Sequence, residues 1–552
     1  MSGDHVLESD VLVIGGGMAG LFAAIKAAEQ GSNVTLVDKG HAGRSGSTPH
    51  AFFYAVFNPA WGHDLETWMK PINTIGEYVN NRAWTEVVFR DSHDRFQDLV
   101  AWGAEFVKDD KGEIKVARFP GFEMQSLLLR MRVFGGVIRK QALLQGVKIV
   151  DRVMVTDLLK DDGRIAGAVG MAVDSYDTYE FRARATVICS GGSSFKPAGW
   201  PVHGLTGDGD MMAYRAGAVI SGKEFNEIKS TSADYPGMTM SMSIWMKMAG
   251  KETPPNTALG GPPQVPAVKG INALGEEIVG LAGSGFMELE FEAAAGRAPV
   301  YAATSPPGTN VRVGGAAAGL AVHTTEGIWP VDLHGTTDLP GLYAAGDSCC
   351  TMGIGAVYFG VGNALAGASV TGARAGTAAA EFARQSGAAA VDPARAAALK
   401  AAVLAPAERR GGFSPGWATQ VLQNTMIPYF TLYVKKEDRL RAALTTVEFL
   451  RDEVVPRLCA ADAHELRLAY ETASMVRNAE AKLRASLFRK ESRGTHYRED
   501  FPRRDDPKWL AWVTLRDEGG EMKPSRKPIP EEWWPDLSTP YEERYPNRYP
   551  SE

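Results

Sequence analysis

One segment near the start of the chain constrains its fold more than any other. Asp10-Val11-Leu12-Val13-Ile14 is a short apolar run, the pattern of a parallel strand buried on both faces. Gly15-Gly16-Gly17-Met18-Ala19-Gly20 follows, then Leu21 to Gln30 reads as a helix closed by Gly31. A second strand, Asn33 to Val37, ends at Asp38. A strand, glycine turn, helix, strand and acid within about 30 residues form the fingerprint of a dinucleotide-binding unit. Gly15 permits the tight turn, Gly17 lets the backbone approach a pyrophosphate, and Gly20 lets the helix pack close on the strand. The helix N-terminus turns unpaired N–H groups and a positive dipole end toward the phosphates. Asp38 is placed to accept hydrogen bonds from a ribose hydroxyl.

The chain has 552 residues, enough for two to four domains. Its net charge of −6 and the lack of a basic stripe argue against a nucleic-acid partner. Four cysteines, Cys189, Cys349, Cys350 and Cys459, are too few and too unevenly spaced for a disulfide framework or a zinc site. No metal site is expected, and the usage fits a reducing cytoplasm. The start is acidic and polar rather than signal-like, and no run approaches 18 apolar residues. The expectation is a cytoplasmic protein without a membrane span.

Short β elements are expected at Val147–Val150, Val153–Leu159, Ile165–Val173 and Ala185–Ile188, with a hairpin turn at Asp161-Asp162-Gly163. Thr206-Gly207-Asp208-Gly209 precedes a helix from Met211 to Ala218. From Ser230 to about Gly315 the composition shifts to Gly, Pro, Met and polar residues, as in a long surface loop or a lid. Strand character returns at Leu339–Tyr343, and a charged helical region runs from about Pro415 to Leu487. The end of the chain is rich in Pro, Trp and Tyr. It is expected to be an extended tail whose aromatics dock on the body or on a partner.

Five motifs in fixed order resemble the succinate dehydrogenase/fumarate reductase flavoprotein superfamily. They are the glycine turn; Trp102-Gly103-Ala104-Glu105-Phe106; Thr206-Gly207-Asp208-Gly209 with Ala213-Tyr214-Arg215-Ala216-Gly217; Pro340-Gly341-Leu342-Tyr343-Ala344-Ala345-Gly346-Asp347; and Glu491-Ser492-Arg493-Gly494-Thr495-His496-Tyr497-Arg498-Glu499-Asp500-Phe501-Pro502. The resemblance implies an α/β fold: a Rossmann-like FAD-binding domain (1–229 and 319–388) interrupted by an α+β capping domain (230–318). A helical C-terminal domain (405–515) and the tail (516–552) follow. It places Gly15, Gly17, Gly20 and Asp38 on the ADP half of FAD, with Lys39, Arg44, Ser45 and Ser47 near the phosphates and flavin. Met18, Ala19, Gly46, Val155, Gly191 and Gly346 join that lining. Asp208 and Asp347 match positions that bind ribityl and ribose oxygens. Asn363, Ala364 and Leu365 match a helix start that aims N–H groups at the flavin pyrimidine, favouring the anionic reduced ring.

The departures from the family pattern are also informative. Arg44-Ser45-Gly46-Ser47-Thr48 lacks the histidine that succinate dehydrogenases bond to FAD, so the resemblance implies non-covalent FAD. Lys229 stands where the family has a substrate-binding histidine, and Phe359 where it has an arginine. The arginine-rich motif that supplies the family's proton donor is absent from the capping region. A dicarboxylate needs cations at both ends, and losing a desolvated charge partner costs about 3–5 kcal/mol. The expected substrate is therefore a small non-dicarboxylate, aromatic or carbonyl-bearing, in a pocket that Tyr358 and Phe359 make apolar. The segment from Gly296 to Tyr301 looks like adenylylsulfate reductase, which works with a small iron–sulfur subunit.

Candidate catalytic residues each carry a structural alternative. Lys229 reads as a cation near the flavin or as a surface lysine. His323 and Glu326 read as proton-exchanging or structural groups, and Arg297 as a substrate cation or a salt-bridge partner. Cys349-Cys350 reads as a redox pair or as two buried small hydrophobes. No second nucleotide fingerprint and no cysteine cluster are present, so electrons must leave to dioxygen or to another protein. Three readings stand: a dehydrogenase or reductase with a ferredoxin-like iron–sulfur partner, a self-sufficient oxidase, and a non-catalytic FAD-binding protein. Oligomerisation is open.

Overall fold

Strand β1 (Asp4–Ile14), helix α1 (Met18–Glu29) and strand β2 (Val34–Asp38) follow the glycine fingerprint in order. The computed structural model describes residues 3–118, 123–130, 133–197, 203–233, 270–278, 292–293, 295–302, 311–358, 362–387, 391–546, 549 and 551–552. β1 runs parallel to β2, with Val11 opposite Val34 and Ile14 opposite Val37. Val11, Leu12 and Val13 are wholly buried, as a strand covered on both faces requires.

Further strands extend this sheet: β3 (Lys148–Asp151), β4 (Val153–Asp161), β5 (Arg164–Ala172) and β6 (Thr178–Ile188). The order is β3-β2-β1-β6-β5-β4, and β9 (Leu342–Ala344) lies beside β6. The β4–β5 turn has two successive left-handed residues, Asp162 (φ 43°) and Gly163 (φ 81°), matching the twist of the flanking strands. Helix α2 (Asp208–Arg215) follows the Thr206–Gly209 turn. Helix α3 (Asn363–Gln385) packs on α1 through its small residues. A Cβ at Gly372 would lie 2.2 Å from the Ala19 carbonyl oxygen, and one at Gly376 equally close to that of Ala23.

The capping segment joins the body through strands β7 (Asn226–Ser232) and β8 (Val311–Ala321), which pair antiparallel. The expected boundaries at 230 and 318 both fall within this pair. Helices α4 (Pro415–Met426), α5 (Glu437–Phe449) and α6 (Ala463–Phe488) form the helical C-terminal unit. Leu422, Leu440, Met475 and Leu483 are buried together there with Phe195, so the nucleotide-binding body and the helices share a core.

The tail departs from expectation. Residues 511–528 form a hairpin, β10 (Ala511–Glu518) with β11 (Glu521–Pro528), and it joins a four-stranded sheet with residues 220–221 and 327–328. The prolines that argue against a strand, Pro524 and Pro528, sit on the edge strand, where a missing N–H costs no ladder bond. Within it, Trp512 meets Trp329 at 5.1 Å; beyond it, the buried Tyr545 hydroxyl lies 3.0 Å from Arg493 and 2.7 Å from Asp506. The aromatics dock on the body.

A buried histidine gives this C-terminal unit a pH dependence. His496 is wholly buried, with Nδ1 3.0 Å from Lys435 Nζ and Nε2 3.3 Å from the Arg489 carbonyl oxygen. Nδ1 accepts from the Lys435 amino group and Nε2–H donates to the carbonyl. Burial first, then Lys435, Arg489 and Arg498, hold its pKa well below the ordinary 6.5. The unfolded chain therefore binds a proton near pH 6.5 that the folded chain refuses. Stability from His496 is full above that pH and falls as pH drops, by at most about 1.4 kcal/mol per pH unit. In His496→Gln, denaturant unfolding between pH 6.5 and 5 is expected to lose this slope. Parallel pH profiles for the two proteins would reject the assignment.

Candidate functional site

A cleft of about 380 Å³ opens where β1 and β2 end, with the glycine turn as its floor. Gly15 adopts φ +105°, and a Cβ there would lie 2.3 Å from the Cys189 carbonyl oxygen. A Cβ on Gly20 would lie 1.7 Å from the Gly15 oxygen, so only glycine allows this helix–strand approach. A Cβ on Gly17 would meet only the Thr48 hydroxyl, at 3.2 Å, and Gly17 lines the cleft with Met18 and Ala19.

Asp38 is buried at the end of β2 and organises the loop after it. Its Oδ2 accepts from the Gly16 amide at 2.7 Å; its Oδ1 accepts from the Gly40 amide and the Ser45 hydroxyl, each at 2.7 Å. Arg44, Ser45, Gly46 and Ser47 continue the lining, as do Val155 and Gly191. Lys39 lies 2.7 Å from Asp208 Oδ2 and 2.8 Å from Glu471 Oε1. Burial works against its charge, but these carboxylates outweigh it and raise its pKa above the ordinary range.

Gly346 and Asp347 also line the cleft, Gly346 packing against Ala19 at the end of the glycine turn. Asp347 Oδ2 lies 2.8 Å from His323 Nδ1, while its Oδ1 is buried with no hydrogen-bond partner. That oxygen is an acceptor waiting for a donor, as a bound polyol would supply. A glycine cradle, lysine and arginine beside it, and an orphaned acceptor together fit FAD. Asn363, Ala364 and Leu365 open α3 outside this cleft, and N-cap Gly362 offers no side chain to occupy the first-turn N–H groups.

The candidate catalytic residues divide. His323 sits between Asp347 and Glu227, whose Oε2 lies 4.0 Å from Nε2, and the Tyr358 ring lies 4.4 Å away. Burial pushes the Tyr358 phenol above its ordinary range. Arg297 is held in the cap by both oxygens of Glu292, at 2.6 and 2.7 Å. Lys229 lies on β7 opposite Ala317; its side chain and all of Phe359 lie outside the described residues. Glu326 is placed differently from expectation. It is wholly buried, accepts from Ser193 and Lys482, and lies 3.3 Å from Lys223, so its carboxylate faces lysines rather than the cleft. Lys223 also lies 2.6 Å from Asp210, whose carboxyl is pushed up to about 6, chiefly by burial. Cys349 and Cys350 are buried and unbridged, and burial pushes both thiols up.

Sequence reasoning missed several lining residues, among them Thr48, His50, Lys196, Arg467 and Glu471. Thr48 accepts from the Met18 amide at 2.9 Å, and its place beside Ser47 was the available signal. Arg467 and Glu471 left none, being more than 400 residues beyond Asp38. Among the described residues no His/Cys/Asp/Glu group suits a metal ion, and no helix is long and apolar enough to cross a membrane.

Residues 10–243 match the family model described as FAD binding domain, and residues 419–544 that described as fumarate reductase flavoprotein C-term. The fumarate reductase flavoprotein subunit of Mycobacterium tuberculosis is 26% identical over 96% of this chain and 98% of its own. Among solved structures, E. coli quinol fumarate reductase FrdA superposes with a TM-score of 0.79 at 19% identity, covering 95% of this chain and 97% of that one. Adenylylsulfate reductase from Archaeoglobus fulgidus superposes with a TM-score of 0.76 at 22% identity, covering 96% and 97%. The two structures share the fold.

Proposed function

The chain belongs to the succinate dehydrogenase/fumarate reductase flavoprotein superfamily as an FAD-dependent oxidoreductase, and we propose that it acts on a small non-dicarboxylate substrate and exchanges electrons with a separate redox protein. The substrate is aromatic or carbonyl-bearing, and the partner is a ferredoxin-like iron–sulfur protein. The observation that carries the substrate reading is the framing of His323 by two carboxylates, Asp347 at 2.8 Å and Glu227 at 4.0 Å. A substrate carboxylate arriving at His323 would meet Glu227, and like charges at such range oppose each other. The mycobacterial relative, whose name makes it one flavoprotein component of a larger enzyme, supports the partner.

FAD, when bound, takes up or gives up the substrate's electron pair. Gly15, Gly17 and the start of α1 would hold its diphosphate and Asp208 and Asp347 its hydroxyls, and the α3 start would face its ring. Because Asp347 Oδ2 accepts, His323 carries a proton on Nδ1 and keeps Nε2 as the atom that gains or loses one. Asp347 thereby sets the histidine's tautomer, and Tyr358 packs against the ring.

The test is anaerobic photoreduction of the FAD-loaded protein, followed by fumarate and then by air, watching flavin absorbance. Fumarate is expected to leave the flavin reduced, and air to restore the oxidised spectrum slowly. Rapid reoxidation by fumarate would overturn the substrate reading. Rapid return in air with peroxide would make the protein an oxidase that works alone.

A further inference from the structure

The cofactor cleft recruits side chains from a part of the chain with no nucleotide-binding motif: Arg467 and Glu471 of helix α6 line it, with Lys196 beside them. We propose that this end of α6 is part of the FAD site, Arg467 and Lys196 forming a cationic clamp on the adenosine-diphosphate half and Glu471 positioning them. The inference rests on FAD being the cofactor, not on any substrate.

Glu471 is the centre of the arrangement, with its side chain only 1% exposed. Its Oε1 lies 2.8 Å from Lys39, and its Oε2 2.8 Å from Lys196 and 4.0 Å from Arg467 Nε. Three cations thus share two carboxylates, Glu471 and Asp208, leaving one positive charge in excess at a partly desolvated wall. Such an excess calls for an anion. The Arg467 Nε is buried and makes no hydrogen bond, and a guanidinium matches phosphate geometry better than an ammonium does.

The backbone at Lys196 is an independent observation. Its φ of +49° is left-handed, a conformation that a residue with a long side chain keeps only where its surroundings hold it. Gln423 of α4 does so, its amide donating to the carbonyl oxygens of Phe195 at 3.0 Å and Lys196 at 2.9 Å. The ammonium donates to the His203 carbonyl oxygen at 2.7 Å, at the rim of the cleft. Two helices of the C-terminal unit therefore fix this lysine where it lines the cofactor cleft. Further along α6, Asn478 donates to the Gly207 carbonyl oxygen at 3.1 Å, beside Asp208. Glu471 and Asn478 are seven residues apart, on one face of the helix.

The test measures binding of FAD, by quenching of its fluorescence, and of ADP, by competition, to apoprotein carrying Arg467→Ala or Lys196→Gly. Arg467 is partly exposed, so its removal leaves no core cavity, and glycine keeps the positive φ while removing the amine. Each variant is expected to raise the Kd for both FAD and ADP about tenfold or more, with part of the loss recovered in Arg467→Lys. The salt dependence of FAD binding should weaken with it. Unchanged FAD and ADP affinities in both variants, with a lowered apoprotein melting temperature, would make the cluster an interdomain bridge and overturn the clamp. Wild-type apoprotein that takes up neither nucleotide would overturn the cofactor assignment as well.

Discussion

Gly20→Ala is expected to yield protein that retains no FAD after gel filtration and melts well below the wild type. The added methyl would sit 1.7 Å from the Gly15 carbonyl oxygen and 3.3 Å from Cys189 Cβ. No rotamer change relieves a clash between a Cβ and a backbone oxygen, so α1 must tilt off β1. That cost is about 3 kcal/mol or more, at the upper end for overpacked sites. The tilt also moves the N-terminal end of α1, with its positive dipole, away from where the phosphates would lie. Gly31→Ala is the control: nothing lies within 4 Å of its Cβ, and its φ of +83° costs only local strain. Equal FAD retention in Gly20→Ala and wild type would refute the account of the cleft floor.

Lys482→Ala is the second large effect. Lys482, Glu326, Lys223 and Asp210 are all wholly buried, two cations against two carboxylates. Removing Lys482 leaves Glu326 facing Lys223 at 3.3 Å with an unbalanced negative charge. Breaking a buried pair in this way costs about 3–5 kcal/mol. Removing the charge on both sides, as Glu326→Gln with Lys482→Met, is expected to restore most of that loss, since each ion's desolvation penalty disappears with it. Calorimetric melting of the three proteins decides the matter. A double variant no more stable than Lys482→Ala would show that the ion pair is not the source of the effect.

The network also bears on Glu326, whose surroundings the chain alone does not reveal. From the sequence, Glu326 reads as either a proton-exchanging or a structural group. Its partner Lys482 is 156 residues away, and nothing near Glu326 in the chain announces it. His323 differs because Asp347 ends a motif that the chain spells out, and the two side chains meet at 2.8 Å. Hairpin 511–528 escapes a sequence reading for a related reason: proline density argues against a strand, and only the sheet order reveals that the proline strand lies at an edge.

By itself, the chain determined whatever depends on neighbours within about 30 residues. The glycine turn, β1, α1 and β2, the hairpin at Asp162-Gly163 and the cofactor's cradle are of this kind. Their physics is local: positive φ at Gly15, close approach at Gly20, and an acid at the end of β2 to tie the turn. Only the tertiary structure decided which distant charges would neutralise one another. Lys39 takes Glu471, Glu326 takes Lys482, and Arg467 and Lys196 come to the cofactor wall. A buried charge must find its counter-ion wherever folding delivers one, and periodicity and spacing carry no record of that choice.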